Sequence, residues 1–234
     1  MDRRVFSSSA IFPFAGLIAL THRRALALTL GDLTNAEASS GLKLALEKGA
    51  LAAIGLLGKP DGFLLNDKVR IPLPGFLETA SNLLRTLGQG GRIDELVTSM
   101  NRAAETAVPQ ARDMLVGAVK NMNVNDAKNI LSGGDTSVTS FFADKTRAPL
   151  NIKFLPVVSK ATEKVGLANQ YNEIAGKAVD FGLMKREDAS IQQYVTGKAL
   201  DGLYFMIGEE EKKIRQDPIG TGSALLKKVF GVLK

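Results

Sequence analysis

The chain has no cysteine, no tryptophan and only one histidine among its 234 residues. Without cysteine it forms no disulfide, carries no thiolate to ligate a metal, and offers no thiol for nucleophilic attack or lipid attachment. The one histidine, His22, falls within an N-terminal stretch that reads as a removable export signal. A mature chain beginning at Leu28 would lack imidazole altogether. That excludes Ser-His-Asp and Cys-His chemistry, an imidazole general base, and the usual zinc sites built from His and Cys. Aromatic side chains make up 6% of the residues, and no dense basic face interleaved with aromatics is present, so nucleic-acid binding is excluded as well.

The export reading rests on residues 1–27. Arg3 and Arg4 form a short cationic start, with Phe6 at the spacing favoured in twin-arginine signals. Ala10 to Thr21 is mostly apolar but too short to span a bilayer. Ala25-Leu26-Ala27 supplies the small-x-small pattern that signal peptidase requires, so cleavage is expected after Ala27. Arg23 and Arg24 just before that site favour the twin-arginine route over the general secretory one, which is the alternative. The expected product is periplasmic, released and soluble, with residues 28–234 as one domain. Removing Asp2, Arg3, Arg4, Arg23 and Arg24 takes the chain from 30 basic and 24 acidic side chains to 26 and 23, lowering the net charge from +6 to +3.

Residues 28–234 predict an all-α fold of roughly nine or ten helices. Thr34 and Glu37 have capping-box spacing, followed by Leu42, Ala45, Leu46, Ala53, Ile54 and Leu57 at helical intervals, with Gly58 and Pro60 ending the helix. Val69-Arg70-Ile71-Pro72-Leu73-Pro74 alternates apolar and polar, but two prolines make it an extended connector or an edge strand at most. Apolar stripes then mark a helix ending at Gly88, two more meeting near Pro109, and a short one from an Asn125 cap. Further helices are expected after Asp135, from Pro156 through Val165, over 167–179, over about 188–215, and over 224–233. No repeat or low-complexity linker divides the chain.

Several stretches in order, Val69–Pro74, Met100–Glu105, Phe154–Val158, Lys198–Leu203, Glu209–Glu211, Ile214-Arg215 and Leu225–Gly231, resemble the bacterial family called domain of unknown function 4197. The resemblance covers nearly all of residues 28–234. It implies an exported helical domain and carries no reaction, ligand or catalytic residue with it.

Candidate sites follow from charges that fall on apolar helix faces. On the helix from Ile191, Lys198 and Glu209 project to the side of Tyr194, Val195, Phe205 and Met206, with Asp201 three residues from Lys198. Buried charges need partners. Lys198, Asp201 and Glu209 therefore define either a polar pocket or, more simply, a local Lys198–Asp201 pair and an exposed helix end. Glu209 with Lys213 and Glu211 with Arg215 have the spacing of surface helix pairs. Asn101, Arg102 and Glu105 lie off the apolar stripe, where Arg102 and Glu105 can pair. The sharper alternative sets Arg70 and Arg102 in an anion-binding groove. Gly55–Pro60 lacks the first glycine and the hydroxyl of a phosphate loop, so no nucleotide and no cofactor is expected, and with no histidine left a metal centre is not expected either.

The function expected from the sequence is an exported, non-catalytic helical binding or interaction protein, its partner another protein or an apolar, lipid-like ligand. Two alternatives stand beside it. One is a hydrolase using Glu209, Asp201 and Lys198. The other is a peripheral membrane protein resting on a basic amphipathic helix over 224–233.

Overall fold

The computed structural model describes residues 35–134, 136–180, 182, 185, 188 and 190–217. The signal segment, Thr34, the Asp135 cap and the 224–233 helix lie outside these residues. Within them the chain is helical with no strand: α1 (Asn35–Leu57), α2 (Gly75–Thr86), α3 (Gly90–Ala107), α4 (Arg112–Lys120), α5 (Val124–Ser132), α6 (Ser137–Thr162), α7 (Gly166–Asp180) and α8 (Ile191–Gln216). A 3-10 turn, Val108–Ala111, joins α3 to α4 without a break and takes Pro109 into its first turn. There are thus eight α-helices in seven separate rods among the described residues, fewer than the nine or ten expected.

Part of the difference is α6. Pro156 reads in sequence as a helix start, yet it lies inside one 26-residue helix together with Pro149. Val138, Phe142, Thr146, Leu150, Phe154, Val158 and Thr162 are all buried at a strict four-residue spacing. Four residues turn a helix by about 400°, so this row drifts some 40° per step and winds round the helix, which packs on α8, α3 and α4. A winding face has no single apolar side, which hides the helix from a periodicity reading. Both prolines lie on the exposed side, where the carbonyls they leave without a helical partner reach water.

α8 and α6 form the central pair, with α1 on α8 and α3 on α6. Ile191, Val195, Ala199, Leu200, Leu203 and Ile207 of α8 are fully buried against Leu42, Leu46, Phe142 and Phe154 in the core. α2 touches chiefly α3. Its expected stripe is consequently only half used, with Leu77 buried but Leu83 and Leu87 more than 60% exposed. Gly88 ends α2 as expected, at φ +76°, with Gly88 N–H on Arg85 O and Gln89 N–H on Leu84 O, a Schellman cap that only a residue free of Cβ strain takes easily. The cap of α5 is Asn123, not Asn125: its side chain accepts from Asp126 N–H while Asp126 accepts from Asn123 N–H. No helix among the described residues is long and apolar enough to cross a membrane.

Candidate functional site

Between α1 and α2 the chain makes a 17-residue connection, 58–74, that is fastened along its length to α3 and α8. It opens with Asp61 in the left-handed region, φ +67°, the one non-glycine residue there among those described. Further on, the alternation seen in the sequence decides orientation: Val69, Ile71 and Leu73 point inward while Lys68, Arg70 and Pro72 are exposed.

The inward residues cannot pair with a neighbouring strand, and a side chain does that work instead. Asn101 of α3, fully buried, accepts from Ile71 N–H (2.8 Å) and donates through Nδ2 to Ile71 O (3.0 Å) and Val97 O (2.8 Å). One turn along, the buried Glu105 accepts from Phe63 N–H (3.0 Å) and Leu64 N–H (3.1 Å) on Oε1 and from Arg102 Nη1 (2.7 Å) on Oε2. Arg102 Nη2 donates to Asp61 (2.7 Å). From α8, Tyr194 Oη donates to Pro72 O (3.2 Å). Gly202 is bare because a Cβ there would lie 2.9 Å from the Phe63 ring and 3.2 Å from Val69 Cβ. Burying so many polar groups is tolerable because each is matched.

This revises two expectations. Asn101 and Glu105 are buried clamps rather than surface residues. Arg102, though paired with Glu105 as its spacing suggested, has its guanidinium taken up by two carboxylates and does not face a groove with Arg70.

Arg70 instead lines a hollow of about 230 Å³ between the connection and α8, with Lys68, Lys198, Asp201 and Phe205. Lys198 and Asp201 also line a larger groove of about 710 Å³ towards the start of α8, with Arg147, Asn151, Gln193 and Asp188. Asp201 borders a third, of about 350 Å³, shared with Glu209 and Tyr204. Lys198 and Asp201 are therefore brought together, and Glu209, two turns on, is not. Nor is the expected local pair formed. Asp201 accepts from Arg147 of α6 (2.5 Å), while the Lys198 ammonium lies 5.8 Å from the centre of the Tyr194 ring. Glu209 pairs with Lys68 (2.5 Å), whose hydrogen bond and charge hold its carboxyl below the usual carboxylate range. Lys213 pairs with Glu210 rather than Glu209, and Glu211 is buried where a solvated face was expected. The three candidate acid and base groups do not converge on one reacting centre.

Each of the three tyrosines of the protein is pinned by its hydroxyl: Tyr171 to Asp188 O, Tyr194 to the connection, and Tyr204 to Thr146 (2.9 Å) beneath the Arg147 guanidinium. Burial, reinforced by the charge of Asp188, pushes Tyr171 and Tyr194 up to about 12. Burial also raises Tyr204, against the opposing pull of Thr146 and Arg147. An unfolded chain ionises its tyrosines near pH 10. The folded form thus keeps its full tyrosine contribution below about pH 10 and loses it as pH rises towards 12. With no tryptophan to interfere, absorbance at 295 nm should show almost no tyrosinate at pH 10.5 and then a steep rise accompanying loss of helix. Half-ionised tyrosine near pH 10 in a chain still fully helical would contradict these placements.

Together these features define a helical protein with a polar surface trough along one helix. Among the described residues no group of three His, Cys, Asp or Glu side chains is placed to hold a metal ion. The chain belongs to the family described as Protein of unknown function (DUF4197), whose model matches residues 32–231. No curated protein and no solved structure matches it. Three of the stretches that carried the resemblance, 69–74, 100–105 and 198–203, are distant in sequence and meet at the clamped connection.

Proposed function

We propose that the protein is an exported, non-catalytic binding protein that takes the acidic group of a ligand between Arg70 and Lys198. One observation carries this reading. Both cations line the same hollow without a carboxylate partner among the described residues, while Asp201, the acid that lines it with them, is already neutralised by Arg147. Guanidinium and ammonium together suit a carboxylate or phosphate. Phe205, 43% exposed beside them, offers an apolar contact to the rest of the ligand. The helices fill their shared core with their own side chains, which favours this surface site over an apolar ligand held between helices. Export is supported by the Arg3, Arg4, Phe6, Ala25 and Ala27 pattern.

Thermal unfolding with added succinate or inorganic phosphate tests the binding claim. A ligand at about a hundred times its Kd stabilises by roughly 2.7 kcal/mol, which raises Tm by about 5–10 °C in a chain of this size. That rise should vanish in the double variant Arg70→Gln, Lys198→Gln. An equal rise in the double variant would place the anion elsewhere.

A further inference from the structure

The 710 Å³ groove has more recognition chemistry than an acidic group alone requires. Asp188, at its end before the Ser190 N-cap of α8, has a carboxylate without an ion-pair partner among the described residues. Lys198, at the other end, has an ammonium without one. Between them stand the side-chain amides of Asn151 and Gln193, which make no hydrogen bond among the described residues. Each amide presents both a donor and an acceptor, the pattern a peptide group answers. A polyanion would meet repulsion from Asp188, whereas a molecule with opposite charges at its two ends fits both.

Gly197 lines this groove as well. The other two glycines inside α8 are explained by packing, Gly202 by Phe63 and Gly208 by Thr139, each of which a Cβ would approach to 2.9 Å. A Cβ on Gly197 would meet nothing within 4 Å, and its φ lies outside the left-handed region. Gly55, Gly117 and Gly176 share such open surroundings inside other helices, away from this groove. Glycine inside a helix lowers stability relative to alanine, so at Gly197 the helix keeps a less stable residue where a methyl group would enter the groove.

We propose that this groove seats a short extended peptide, its α-ammonium on Asp188 and its α-carboxylate on Lys198 and Arg70, with its backbone passing close over Gly197. The eight residue steps from Ser190 to Lys198 span about 12 Å of helix. At about 3.3 Å per extended residue that corresponds to roughly four residues of peptide. The proposal rests on the reading of Arg70 and Lys198 as the acid-binding pair.

Isothermal titration of the full chain with four probes tests it: tetra-alanine with free ends, the same peptide N-acetylated, the same peptide C-amidated, and succinate. Free tetra-alanine should bind, and each modification should weaken it about tenfold, the effect of losing one charge-assisted contact. The acetylation effect should disappear in Asp188→Asn, and the amidation effect in Lys198→Gln. Gly197→Ala should weaken the tetrapeptide about tenfold or more, leave succinate unaffected, and leave the melting temperature equal or higher. Succinate binding without tetra-alanine binding, or tetra-alanine binding indifferent to acetylation, overturns the peptide proposal and leaves the acid-binding pair standing. Failure of both succinate and tetra-alanine to bind overturns both.

Discussion

Glu105→Ala should destabilise the protein by about 3–5 kcal/mol. The substitution leaves the N–H groups of Phe63 and Leu64 without their acceptor, and each unsatisfied buried donor costs about 1–3 kcal/mol. It also strips Arg102 of one of its two carboxylates, leaving only Asp61. Breaking a largely buried pair from one side is more harmful than removing an exposed pair, which contributes at most about 1 kcal/mol, and the Glu105 side chain is only 5% exposed. Set against a typical domain stability of about 5–15 kcal/mol, this is a large fraction. Urea unfolding should show the midpoint falling sharply with the slope nearly unchanged. Glu105→Gln keeps a carbonyl for the two N–H groups and should lose clearly less. A loss under about 1 kcal/mol for the alanine variant would mean that the connection is not held by this carboxylate.

The second large effect belongs to Asn101. Asn101→Leu keeps the number and branching of the side-chain heavy atoms but removes every polar one at a position with no exposure, so the lost hydrogen bonds dominate and the bulkier methyl groups only add to the cost. Ile71 loses the acceptor for its N–H and the donor to its carbonyl together, while Val97 O loses only its side-chain donor. The expected cost is about 2–4 kcal/mol. Hydrogen exchange gives the local readout. The Ile71 amide should exchange slowly in the native protein and rapidly in the variant, with α6 and α8 amides less affected under strongly native conditions. Release of the connection also frees Lys68 and Arg70 from their register, so anion-induced stabilisation should fall with it. Slow Ile71 exchange in the variant would show that the clamp is not what orders this segment.

These two residues also show where reading the sequence runs out. The all-α class, the end of α1 at Gly58, the Gly88 cap and the inward alternation of Val69, Ile71 and Leu73 are all legible, because each depends on neighbours within a turn or two. Asn101 and Glu105 lie off the apolar stripe of α3, and a helical wheel assigns such positions to solvent. What buries them is the connection folding back over that side of α3, with partners 30 and 42 residues away. Asp201 misleads in the same manner. Lys198 is its nearest cation in sequence, but Arg147, 54 residues away on α6, holds it. That frees Lys198 to share the hollow with Arg70, a meeting without a local signature. The outward alternation of Lys68 and Arg70 was the one available clue, and it needed the position of α8 to become a site.

On the proposed reading, Arg70 and Lys198 are placed for a ligand rather than for stability. The decisive test is native mass spectrometry of the protein purified from its source cells, compared with the Arg70→Gln, Lys198→Gln variant prepared identically. A small acidic molecule should be retained on the native chain and absent from the variant, with both melting at similar temperatures when free of ligand. The same retained mass on both proteins, or a variant that loses its fold along with the ligand, would contradict it.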